Sequence, residues 1–161
     1  MKLLLLIFMT LSTQLLSAKK ISHNNMTFEW VFVGQDIQIT LTAPTLGWVA
    51  CGFNIKSGLK GTNLIMAAVK KGKVAIEDQF VSSPGNHQTI LSLGGNNQID
   101  KSSGSETSSQ TTVRFHLNTS KTDSYHYKLE KGETYYLLLA YSREDDFDHH
   151  SMMRTEVKIT L

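Results

Sequence analysis

The chain of 161 residues holds one cysteine, two prolines and, beyond its first sixteen positions, no long apolar run. A lone cysteine excludes an internal disulfide and any zinc or iron–sulfur centre built on cysteine pairs. The fold must therefore rest on its hydrophobic core. Charge of one sign is equally scarce: 16 Lys and Arg against 14 Asp and Glu leave a formal +2, too little for the basic field that draws nucleic acid. No nucleic-acid partner is expected. Disorder is excluded by an apolar share of 40%, since chains that stay unfolded lack the side chains to bury. Catalytic signatures are also missing: there is no Gly-x-Ser-x-Gly, no phosphate-cradling Gly-rich loop with Lys-Ser/Thr, and no His-Glu-x-x-His. We expect no enzyme.

What is present begins with Met1-Lys2, the apolar run 3–16 and the small residues Ser17-Ala18 before Lys19-Lys20. That order of positive end, short apolar stretch and small residue reads as a signal peptide over 1–18, because the run is too short to span a bilayer core of about 30 Å. Residues 19–161 would then be a single secreted, periplasmic or extracellular domain with no stable membrane span.

From residue 26 onward the apolar residues recur with a period of two, which sends alternate side chains to opposite faces of a strand. Phe28, Trp30 and Phe32 alternate with Thr27, Glu29 and Val31; Gly34-Gln35-Asp36 turns the chain into Ile37, Ile39 and Leu41. This is a hairpin. Further strands are expected at 48–53, 64–69, 73–81, 89–93, 112–117, 125–129, 134–141 and 154–161. Residues 94–110, rich in Asn, Ser, Gly, Thr and Gln, read as a mobile surface loop. No segment has apolar residues at helical spacing. Many short strands separated by turn signals make an all-β antiparallel sandwich of about nine to eleven strands.

Chemistry-bearing residues cluster late. Glu144, Asp145, Asp146 and Asp148 precede His149-His150, with Met152, Met153 and Arg154 just beyond. Such carboxylates could bind Ca²⁺ or do acid–base work, or be a solvated loop. Imidazole and thioether are donors for haem iron and copper, and a neighbouring carboxylate can fix an imidazole tautomer. Adjacent residues of an extended chain face opposite ways, so one of the two histidines is expected to enter a pocket. Cys51 sits in an apolar strand far from this cluster, which argues for a buried hydrophobe and against blue copper. Asn25-Met26-Thr27 and Asn118-Thr119-Ser120 match the N-glycosylation acceptor.

The run from Gly47-Trp48-Val49 through Gly52-Phe53-Asn54, the loop Gly58-Leu59-Lys60-Gly61, the apolar strand to Met66, then 112–115, 136–141 and the Asp145–His150 stretch resemble, in order, the DOMON domain family. The resemblance covers residues 26–161. It implies a β-sandwich whose pocket in different members holds haem b, is thought to hold sugar, or holds neither. Haem-binding members use a Met from the Gly-Met-x-Gly loop and a His near the last strand as axial ligands. Here the histidines are His149 and His150, while the Met position is Leu59, which has no lone pair for iron. Met66, Met152, Met153 or a second histidine would have to serve, and Met66 reads equally as core, since it shares a face with Leu64 and Ala68. The resemblance thus implies a haem b electron carrier with His149, His150 and Met66 toward the metal, Leu59 beside it, Arg154 or Lys60 toward the propionates, and a redox partner protein. The competing expectation is a metal-free module in which Trp30, Trp48, Tyr135, Tyr136 and Tyr141 offer aromatic faces to a sugar, another small molecule or a protein.

Overall fold

The computed structural model describes residues 17–120 and 123–161; residues 1–16, and with them most of the signal-peptide expectation, lie outside it. Eleven strands follow one another: β1 (Lys19–His23), β2 (Met26–Val33), β3 (Asp36–Ala43), β4 (Val49–Asn54), β5 (Asn63–Lys70), β6 (Lys73–Ser83), β7 (Asn86–Thr89), β8 (Ile99–Glu106), β9 (Thr111–Asn118), β10 (Thr134–Tyr141) and β11 (Met153–Thr160). They form two antiparallel sheets, one of five strands in the order β1-β2-β3-β9-β8 and one of six in the order β11-β10-β4-β5-β6-β7. The expected sandwich is the observed one.

The five-stranded sheet has one dry face. Along β2, β3 and β9 buried residues alternate with half-exposed or exposed ones, so Phe28, Ile39 and Phe115 point inward while Glu29, Thr40 and Arg114 meet water. Between the sheets Phe28 and Phe53 pack edge to face at 6.2 Å, and Phe53 meets Tyr135 at 6.5 Å, a geometry favoured by the aromatic quadrupole. Truncating a ring at such a position costs roughly 3–5 kcal/mol.

The six-stranded sheet is different, because β4 is buried along its whole length and β5 along all but its last residue. A strand dry on both faces reads as a continuous apolar run, which is why 48–53 and 64–69 show no polar alternation. Cys51, Ile65 and Leu139 face the sandwich interior. Trp48, Ala50, Leu64, Met66, Ala68, Leu138 and Ala140 form a second cluster on the outer face, and something must cover it.

Three expectations need correction, and one strand was missed. Residues 94–110 are not a mobile loop: β8 pairs with β9 from Ile99 to Glu106, with a bulge between Asp100 and Ser103. It is polar because it is an edge strand exposed over most of its length, and its approach to the opposite sheet needs glycine, as a Cβ on Gly104 would sit 2.8 Å from Val69. Edge strand β1, also polar and exposed, gave no periodic signal. At 89–93 the strand ends at Thr89 and a 3₁₀ turn, Ile90–Leu93, follows, with the Thr89 hydroxyl accepting from the Ser92 amide. Finally, 125–129 is not a strand: this stretch crosses between the sheets and satisfies its polar groups through side chains.

That crossing carries a buried charge network that the periodicity did not reveal. His126 has a fully buried side chain, with Nε2 2.9 Å from Asp78 Oδ2 and Nδ1 2.8 Å from Asp123 Oδ1. Asp78 also accepts from the Asn63 side-chain amide at 2.7 Å and the Gln98 backbone at 3.0 Å. Asp123 accepts from the amides of Asn96 and Tyr125. The network ties β5, β6 and two connections together at one end of the sandwich.

Candidate functional site

The outer face of the six-stranded sheet is covered by the connection 142–152, which folds back over it because its root is fixed. Trp48 and this connection exchange backbone bonds, Trp48 N–H to Glu144 at 2.9 Å and Ser142 N–H to Trp48 at 3.0 Å. The Thr45 hydroxyl donates to the Ser142 carbonyl, and the Thr111 hydroxyl holds the Thr45 carbonyl at 2.9 Å. Gly47 permits this approach: a Cβ there would lie 2.4 Å from the Arg143 carbonyl carbon and 2.5 Å from the Glu144 nitrogen. Further on, the Ser142 hydroxyl donates to the His150 carbonyl at 3.1 Å and Met152 N–H bonds Tyr141 at 2.9 Å. Phe147 is thereby laid on the apolar cluster.

A second cover is the loop 55–62. Buried Asn54 organises it, its amide donating to the carbonyls of Gly58 and Lys60 at 3.1 and 3.0 Å while its oxygen accepts from Lys56 N–H. Glu156 clamps the tip, accepting from the Ser57 hydroxyl at 2.6 Å and from Gly58 N–H at 2.8 Å. Gly58 and Gly61 have φ of +105° and +88°, values that glycine adopts without strain. The loop lays Leu59 against the same cluster.

Between the two covers lies a cavity of about 140 Å³. Trp48, Ala50, Leu64, Met66, Leu138 and Ala140 line it from the sheet, and Leu59, Phe147, His149, His150 and Arg154 from the covers. Thus His149, His150, Met66, Arg154, Leu59 and Trp48 come together on one cavity. Tyr141 does not: its side chain belongs to the core between the sheets, because it shares the inward parity of Leu137 and Leu139. Trp30 and Tyr135 also lie in that core, and Met153 packs against it. Lys60 and Met152 are exposed and away from the cavity lining.

Both histidines sit at the rim, exposed to solvent. His149 Nδ1 is 3.3 Å from Asp146 Oδ2. An exposed pair of this kind adds little stability. The Trp48 indole N–H is buried and without a partner among the described residues, so an acceptor on a bound molecule would relieve it. One cavity residue carries chemistry and escaped sequence reasoning: His87 on β7. No motif surrounds it, and only the pairing of Val81 with His87 across β6 and β7 places it on this face.

The carboxylate chemistry finds no support in the geometry, and Cys51 is the buried residue expected. Asp145, Asp146 and Asp148 line a shallow neighbouring recess with Glu77, yet among the described residues no three His, Cys, Asp or Glu side chains converge as a metal site. Cys51 is fully buried on the inner face, and burial, then the charge of Asp78, pushes its thiol pKa up. It is neither copper ligand nor reactive thiol.

Comparison with known proteins agrees with the architecture. The family model of the DOMON domain matches residues 22–142. MOXD1 homolog 2 of Drosophila melanogaster is 27% identical over 116 residues, 72% of this chain; the chain spans only 15% of that relative's length. The cytochrome domain of Myriococcum thermophilum cellobiose dehydrogenase superposes with a TM-score of 0.58 at 10% identity, covering 89% of this chain and 81% of that domain. The cytochrome b domain of pyranose dehydrogenase from Coprinopsis cinerea gives 0.62 at 8% identity, covering 88% and 80%. At such identities the two solved structures are similar in fold.

Proposed function

The chain belongs to the DOMON domain family, and from that premise we propose that it is a secreted binding module which takes haem b into the cavity over its six-stranded sheet and exchanges electrons with a partner protein. The observation that carries this reading is the meeting of imidazole, thioether and guanidinium on one apolar cavity: His149 and His150, Met66, and Arg154. The donor set fits haem iron, which takes axial nitrogen or sulfur ligands while the macrocycle supplies the rest. A bare ion asks for three or four protein ligands, and no such group converges among the described residues. The cytochrome domains similar in fold point the same way.

Each residue has a definable task. Ala50 and Ala140, small and buried, leave room above the sheet, while Leu64, Leu138 and Phe147 exclude water. Asp146, 3.3 Å from His149 Nδ1, would be the charge beside a His149 that ligates the iron, and Arg154, which lines the cavity, would pair with an anionic propionate. When bound, haem supplies one-electron redox chemistry. The cavity of about 140 Å³ is below the roughly 300–1,000 Å³ of drug-sized ligand sites, so a haem would be only partly enclosed by it. In this reading the module acts by binding.

Titration of the purified protein with hemin tests the reading. Wild type develops a Soret band with saturable uptake, and the band is lost when both His149 and His150 are replaced by alanine; absence of uptake by wild type refutes it. The metal-free reading draws on Leu59 at the loop tip and the unpartnered Trp48 indole. It predicts glycan or protein binding that survives the double histidine replacement.

A further inference from the structure

We propose that His87, from β7, is a second imidazole ligand to the haem iron, lining the same cavity as the histidines of the 142–152 connection. The inference rests on the haem reading above and adds to it the identity of the second donor.

The argument starts from what position 59 cannot do. Leu59 touches the cavity but offers no lone pair, so iron must find its second donor elsewhere or stay five-coordinate. Met66 lines the sheet side at 2% exposure, packed among Leu64, Ala68 and Leu138, where it fills core. His87 lines the same cavity from β7, the edge strand of the six-stranded sheet, paired with Val81.

Its ring is prepared for ligation. His87 Nδ1 meets the Gln79 side-chain oxygen, and the Gln79 amide nitrogen donates to Glu77 Oε2 at 2.6 Å. The Glu77 carboxylate can only accept, so it fixes which end of the Gln79 amide is oxygen. That oxygen in turn requires the proton on His87 Nδ1. The lone pair is left on Nε2. Gln79 is itself 4% exposed, so the relay is held by packing and is no chance surface contact. A ligating histidine characteristically gives its other ring N–H to such an acceptor, which orients the ring and raises its basicity.

The test uses the hemin-loaded full chain, read by visible spectroscopy and electron paramagnetic resonance. Wild type is expected to be six-coordinate and low-spin with the signature of two imidazoles. His87→Gly becomes five-coordinate and high-spin, and added free imidazole restores the low-spin form; His87→Gln, close in size, shows the same loss with an unchanged thermal midpoint of the apoprotein. If both variants stay low-spin without imidazole, or wild type shows imidazole–thioether ligation, the assignment of His87 is overturned while the haem reading stands. If wild type takes up no hemin, both fall together.

Discussion

Replacing His126 by alanine tests the buried network most directly. The imidazole sits between two carboxylates at 2.9 and 2.8 Å with no exposed side-chain surface, and Asp78 beside it has only 3% of its side chain exposed. Burial by itself lowers the His126 pKa, but the bond and charge of Asp78, then those of Asp123, outweigh it and hold the ring protonated above the usual histidine range. Asp123 moves the other way: against its own desolvation, the amides of Asn96 and Tyr125 and then His126 bring its pKa down. Removing one member of a buried ion pair leaves the other uncompensated, at a cost of about 3–5 kcal/mol. In a domain this size each kcal/mol moves the melting temperature by roughly 2–4 °C, so His126→Ala should melt at least about 6 °C lower near pH 6. The pH profile gives the sign. Because the folded pKa of His126 is raised, its contribution is complete below the unfolded value of about 6.5 and fades as pH climbs through the folded one. Because that of Asp123 is lowered, its contribution is complete above about 3.9 and fades as pH falls. Wild-type stability measured by denaturant unfolding should therefore peak between about pH 4 and 6.5, and the alkaline decline should flatten in His126→Ala. A variant within 1 kcal/mol of wild type at pH 6, with an unchanged alkaline slope, would refute the network as a stabilising element.

Two further changes probe the covers of the cavity. Leu59→Met puts a thioether on the loop held by Asn54 and Glu156; in the His87→Gly background it should restore a six-coordinate low-spin haem, with a potential above that of wild type as thioether ligation raises it. Redox titration of the two proteins checks the direction. Gly47→Ala sets a methyl 2.4 Å from the Arg143 backbone, and overpacking of this kind costs roughly 1–3 kcal/mol. Because the displaced segment carries His149 and His150, hemin affinity should fall along with the melting temperature; unchanged affinity would separate the cavity rim from its root.

Much of the fold was legible because period-two burial leaves a trace in sequence. Phe28, Trp30, Ile37, Ile39 and Leu41 alternate as they do since one face of the five-stranded sheet is wet. The unbroken runs of β4 and β5 are as apolar as they are since both their faces are dry. Edge strands β1 and β8 left no such trace, because pairing by backbone alone places no demand on side chains. The stretch 125–129 misled for the opposite reason. Its Tyr125, Tyr127 and Leu129 alternate like a strand, yet Tyr127 serves by donating to the Gly61 carbonyl at 2.8 Å and Leu129 by entering the core.

For the site, the order of residues alone determined that imidazoles, thioethers and a guanidinium lie near one end of the last strand; that Leu59 stands at a sulfur-donor position came from the resemblance to the DOMON family. Tertiary structure decided which of them share a cavity. Strand parity turned Tyr141 inward, the backbone clamp at Trp48 folded His149 and His150 over Met66, and the pairing of β6 with β7 brought His87 to the same place. The partners of His126 lie 48 residues upstream and 3 residues before it. Such meetings follow from how sheets stack and where connections cross, and separation along the chain carries no record of them.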